Sequence, residues 1–98
     1  MATSKQEAQW VLGAQCDDRE AIESLLRDVQ PRLRRYLRSL VGKDDVDDVL
    51  QDVLILIYRK LASLHTPKLF RPWGYRIASR EAFRHLKKTK APSGAGTG

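Results

Sequence analysis

The chain has 98 residues and a formal net charge of +6, which allows one domain with a modest core and no more. A single cysteine, Cys16, excludes an internal disulfide framework and any metal site built from cysteines alone. No apolar run approaches the roughly 20 residues needed to span a bilayer, and MATSKQEAQW lacks the apolar middle of a signal peptide, so the expectation is a cytoplasmic protein. The charge is uneven: residues 1 to 65 carry ten Lys/Arg against eleven Asp/Glu, and residues 66 to 98 carry eight against one. A polyanion is the natural partner for that last third.

The spacing predicts a short first helix over Lys5 to Ala14, capped by Ser4, with Trp10, Val11 and Ala14 inward. Cys16 reads as a buried or half-buried small residue rather than a nucleophile. Asp17 or Asp18 caps a second helix that keeps its apolar register from Ile22 through Leu25, Leu26, Val29, Leu33, Tyr36 and Leu37 to Val41, ending at Gly42. Arg27, Arg32, Arg34, Arg35 and Arg38 occupy its opposite face. Pro31 removes one backbone hydrogen bond, so one bent helix is expected.

The third helix, over Asp44 to Leu64, organises the chain. Val46, Val49, Leu50, Val53, Leu54, Ile57, Leu61 and Leu64 recur at helical spacing. Asp44, Asp45, Asp47 and Asp48 crowd its first turn, where the helix dipole favours anions, and Asp44 or Asp45 can cap it. Ile55, Leu56 and Tyr58 widen the stripe, so burial on more than one side is expected. Asp45, Asp48, Gln51 and Asp52 fall off the stripe, either as a solvated acidic face or as a docking face.

Residues 65 to 71 read as a loop, and Pro72 suits the first position of a last helix over Pro72 to Lys88. Trp73, Ile77, Ala78, Ala82, Phe83 and Leu86 are its expected inner face. Arg76, Arg80, Arg84, Lys87 and Lys88 are its outer face, a stripe able to follow phosphates, with aromatic residues close by on which bases could stack. The fold class is therefore all-α, a compact bundle of about four helices over residues 1–90. The remainder, 91–98 (APSGAGTG), reads as a flexible linker or tail.

Nothing in the pattern points to catalysis. His65 and His85 lack metal-ligand spacing with Cys16 or an acid. No phosphate-binding glycine loop is present. The acid cluster follows no calcium-loop pattern. A non-enzyme without cofactor is expected.

Two stretches resemble one family. DDVDDVLQDVLILIYRKL resembles region 2.2 of bacterial RNA polymerase sigma factors of the extracytoplasmic-function group, through Asp45, Asp47, Asp48, Val49, Leu50, Gln51, Asp52 and Val53. FRPWGYRIASREAFRHLKK resembles regions 2.3 and 2.4, through Phe70, Trp73, Tyr75, Arg76, Ile77 and Ala78. LLRDVQPRLRRYLRSLVG looks like region 2.1, its proline included. The resemblance implies a sigma region 2 helical bundle that initiates transcription.

It further implies docking on the clamp helices of the polymerase β′ subunit through Asp45, Asp48, Gln51 and Asp52. It places contact with the promoter −10 element on His65, Lys68, Phe70, Arg71, Arg76, Arg80, Arg84, Lys87 and Lys88, where a base flipped from the melted strand is captured. It also makes an anti-sigma factor a plausible partner. Gly74, Arg80 and Arg84 depart from the family pattern, so the base preference does not carry over. A complete member also has a second domain reading the −35 element, so the chain is read as an excised domain in preference to an unusual short protein. The competing readings are a sigma-like protein-interaction module and an ordinary duplex-binding regulator.

Overall fold

The computed structural model describes residues 2 to 90, and their side chains as far as Lys88. Four α-helices follow one another: α1 (Ser4–Gln15), α2 (Arg19–Val41), α3 (Val46–Lys60) and α4 (Phe70–Lys90), with short 3₁₀ turns at Leu61–Ser63 and Pro67–Leu69. The expected all-α bundle is what the described residues form. The tail, 91–98, lies outside them.

Local chemistry sets most of the boundaries. Thr3, rather than Ser4, caps α1 by accepting from the Gln6 N–H. The Asp18 carboxylate accepts from the Glu20 and Ala21 N–H groups and starts α2. Gly42 ends that helix at φ 89°, a left-handed value that favours glycine. Pro31 sits inside α2 without dividing it. Its ring lies on the exposed side, where solvent can satisfy the carbonyl it frees.

The apolar stripes meet in one core. Leu25, Val29, Leu33 and Leu37 of α2 face Val46, Val49, Leu50, Val53 and Ile57 of α3, with Val11 of α1 and Phe70, Ile77, Ala78 and Ala82 of α4 closing the sides. Helices α2 and α4 each touch all three others, whereas α3 packs mainly between α2 and α4. The wide apolar pattern of α3 therefore does not reflect burial on several sides: Ile55 and Tyr58 stand out into solvent, 43% and 57% exposed.

The last helix differs from expectation in two respects. It begins at Phe70, two residues before Pro72, so the proline occupies the third helical position. That position is still within the first turn, where N–H groups have no helical partner to lose. Its inner face is also rotated. Phe70 is wholly buried, while Phe83 is 60% exposed and Trp73 is half-buried against the Phe70 ring at 5.9 Å between centroids. Cys16, expected to be covered, is exposed.

Candidate protein and nucleic-acid interfaces

The outward side of α3 carries Asp48, Gln51 and Asp52, all exposed, and continues through Ile55, Tyr58 and Arg59. Steps of three and four residues bring these onto one face, the side away from Val46, Val53 and Ile57. The result is an acidic half-face joined to an uncovered apolar half. Asp45 lies apart from it. Its backbone begins α3, but its side chain caps no N–H. Instead its Oδ2 meets His85 Nε2 at 3.0 Å, tying the start of α3 to α4. The sequence left the choice of Asp44 or Asp45 as cap open; Asp45 serves as a tether instead. The dipole is matched by Asp47 and Asp48 in the first turn.

On α4, Arg76, Arg80 and Lys87 are exposed beside Phe83. A 3.6-residue period makes residues four apart drift around the helix. The stripe 76–80–84–88 therefore divides. Arg76 and Arg80 stay on the open side with Phe83. Arg84 and Lys88 turn towards α3 and line an open groove of about 300 Å³ with Asp52, Ile55 and His85. Arg84 also reaches Glu81 at 3.4 Å, but its side chain remains 78% exposed, so that pair contributes little. The other flank of α4 is fastened to α2: Tyr36 Oη and Ser79 Oγ share a hydrogen bond, and the Tyr36 and Tyr75 rings meet edge to face at 5.1 Å.

His65 stands exposed between the two 3₁₀ turns, and Lys68 is exposed within the second, which leads directly into α4. Phe70 and Arg71, assigned to DNA with them by resemblance, are differently placed. Phe70, without exposed surface, is a core residue and offers no face to a base. The Arg71 guanidinium, half-buried, is engaged by the chain itself, donating from Nε to Glu7 Oε2 at 3.1 Å and from Nη2 to the Ala2 carbonyl at 3.0 Å. Glu7 itself is 2% exposed and also takes Arg32 Nη2 at 3.1 Å, while Arg32 meets Asp28 at 2.8 Å. Sequence reasoning missed Glu7, a lone acid on a short helix, and placed Phe83 inward. The signal for Phe83 was its position three residues after Arg80 and four before Lys87.

Among the described residues, no group of three or more His, Cys, Asp or Glu side chains is arranged to hold a metal ion, and no helix is long and apolar enough to cross a membrane.

The chain matches the model of the Sigma-70 region 2 family over residues 25–91. It is 32% identical over 69 residues to the ECF RNA polymerase sigma-E factor of Haemophilus influenzae, which covers 70% of this chain and 36% of that protein. It is 32% identical over 87 residues to the RNA polymerase sigma-H factor of Pseudomonas aeruginosa, covering 88% of this chain and 45% of that protein. The RNA polymerase sigma factor NccH of Alcaligenes xylosoxydans xylosoxydans is 38% identical over 61 residues, 61% of this chain and 33% of its own. The chain thus spans less than half the length of each of these relatives. No solved structure matches. The family model covers well over half of the chain and begins inside α2. The chain belongs to the Sigma-70 region 2 family, of the extracytoplasmic-function type.

Proposed function

We propose that this chain acts in transcription initiation as a non-enzymatic sigma region, docking on core RNA polymerase through α3 and holding promoter −10 DNA through α4 and the segment before it. The observation that carries the reading is the pair of open helix faces, acidic and apolar on α3, basic and aromatic on α4, both left uncovered by the bundle.

On α3 the docking set is Asp48, Gln51 and Asp52, extended by Ile55 and Tyr58, with Asp45 supporting it from the side. An apolar centre with a charged margin is the usual composition of a protein interface. The β′ clamp helices are the partner that the family membership supports, and an anti-sigma factor would compete by covering the same face.

On α4 the DNA set is Arg76, Arg80 and Lys87, with Arg84 and Lys88 at the groove and His65 and Lys68 on the preceding segment. Phe83 joins it as a platform for an unpaired base. Phe70 and Arg71 leave the contact set and support the segment from below. Capturing an unstacked base offsets a few kcal/mol of unpairing, so melting needs no hydrolysis.

The test is binding to an isolated β′ clamp-helix fragment, with Asp52→Arg alongside. Binding by the chain that falls at least tenfold in the variant, with the fold retained, is the expected outcome. A well-folded chain that ignores the fragment would leave the fold without this role.

A further inference from the structure

The segment that leads into the proposed DNA helix is an arch with both feet on α1. At the first foot, Gln15, the last residue of α1, donates from Nε2 to the Leu61 carbonyl at 2.9 Å and to the Leu64 carbonyl at 2.8 Å. One side-chain amide thus holds two carbonyls where α3 gives way to a 3₁₀ turn; the Leu61 carbonyl also accepts from the Leu64 N–H at 3.1 Å. The Leu61 and Leu64 side chains are both buried, so the backbone there is pinned from two directions.

At the second foot, Arg71 is held by the opposite end of the same helix. Its Nε meets Glu7 and its Nη2 meets the Ala2 carbonyl. Phe70, wholly buried, anchors the chain beside it. Between the feet, His65, Thr66, Lys68 and Leu69 are exposed. Within this stretch a backbone bond from the Leu69 N–H to the Thr66 carbonyl closes the 3₁₀ turn. Gln15 and Glu7 stand eight residues apart on α1, so about 12 Å of helix at 1.5 Å per residue sets how far apart the feet of the arch stand. The family model starts at residue 25, so α1 lies outside it.

We propose that α1 is a positioning element of the DNA site, with Gln15 as its main positioning residue. It touches no DNA. It holds residues 65–69 in one fixed arch, so that their donors and acceptors meet an unpaired base in a set position. A positioned segment discriminates among bases because a misplaced donor or acceptor is left unpaired. A slack segment keeps its charge attraction to phosphates and loses the discrimination. This inference rests on the proposed DNA-binding role of the chain.

The experiment uses the full 98-residue chain and a set of single-stranded oligonucleotides that vary one base at a time. Gln15→Glu keeps the shape and turns the two donors into acceptors facing carbonyls. Gln15→Leu removes the donors without adding charge, and serves if the first variant fails to fold. The expected result is a fall of about tenfold in the ratio between the best and worst oligonucleotide. The affinity for the worst one and the slope of affinity against salt stay unchanged, and amide hydrogen exchange accelerates across 65–69. A purely structural role for Gln15 would lower the melting temperature and leave that ratio intact, and this outcome overturns the inference. An original chain that binds no single strand overturns the DNA role itself, and the positioning role with it. A chain that binds selectively, with variants equally selective, overturns the positioning role alone.

Discussion

Helices α3 and α4 are built alike on the inside and unlike on the outside. Each lays small and branched apolar residues against the same core, Val46, Val53 and Ile57 from one and Ile77, Ala78 and Ala82 from the other. Outside, α3 presents Asp48, Asp52, Ile55 and Tyr58, and α4 presents Arg76, Arg80, Phe83 and Lys87. The core does not distinguish the two outer faces, because none of those eight side chains is needed to fill it. The difference must answer to what lies beyond the molecule. Charge sign separates a surface suited to a protein from one suited to a nucleic acid. Changes to the shared core should remove both activities together, and changes to one outer face should remove one alone.

The largest effect is expected in the shared core. Phe70→Ala empties a wholly buried ring site beneath both α4 and the arch, and a loss of about 3–5 kcal/mol in urea unfolding follows from the size of the cavity. Glu7→Ala should come close behind. It strips the nearest anion from Arg71 and leaves Arg32 with Asp28, while Arg32 Nε is already buried without a partner. Breaking a buried charge cluster of this kind costs about 3 kcal/mol. Both variants should lower binding at both outer faces through lost stability, and because Phe70 and Glu7 also hold the second foot of the arch, any further loss should fall on DNA binding; a loss of polymerase binding alone would undo the comparison.

On the outer face of α4, the double change Arg76→Ala with Arg80→Ala should weaken single-strand binding without altering unfolding. If each arginine neutralises one phosphate, the slope of log affinity against log salt falls by about 1.4, from roughly 0.7 per contact. The clamp-helix fragment should bind as before. Phe83→Ala sharpens the point further. It removes no charge, so the salt slope should hold while affinity drops by about 1–3 kcal/mol, the usual contribution of a stacked base. A ring that belonged to the core would instead show itself as lost stability.

Much of this was legible from residue spacing, and the misreadings share a cause. Helix α2 shows a single clean stripe because it meets a partner along most of one side, and Asp18, Gly42 and the apolar run from Leu25 to Leu37 all act as their chemistry dictates. Along α4 the apolar residues Phe70, Trp73, Ile77, Phe83 and Leu86 spread around much of the circumference. Periodicity alone could not say which side α2 and α3 would cover. The answer came from partners distant in sequence, the Tyr36–Ser79 and Asp45–His85 bonds, which fix the rotation that leaves Phe83 outside. The buried position of Glu7 was hidden for the same reason, since its arginines lie 25 and 64 residues away. The family resemblance ordered the helices correctly, but copied to the surface Phe70, which the fold buries, and Arg71, whose guanidinium is tied to Glu7 and the Ala2 carbonyl.

The smallest effect tests whether inside and outside are separable at all. Gly74 is buried on α4, and a Cβ added there would meet Ile57 Cδ1 at 3.8 Å, an ordinary contact. The position is helical with no positive φ, so alanine adds packing and helix propensity without strain. Gly74→Ala should therefore stabilise the chain by about 0.5–1 kcal/mol, read as a higher melting temperature, with both binding activities unchanged. Gly13 is the opposite case: a Cβ there would lie 2.8 Å from the Ala21 Cβ, and the α1–α2 contact would have to open. Gly13→Ala should lower the melting temperature and, because α1 carries both feet of the arch, loosen residues 65–69 while leaving α3 able to dock. Equal behaviour of the two glycine variants would mean that the α1–α2 contact yields freely, and that α1 does not hold the arch.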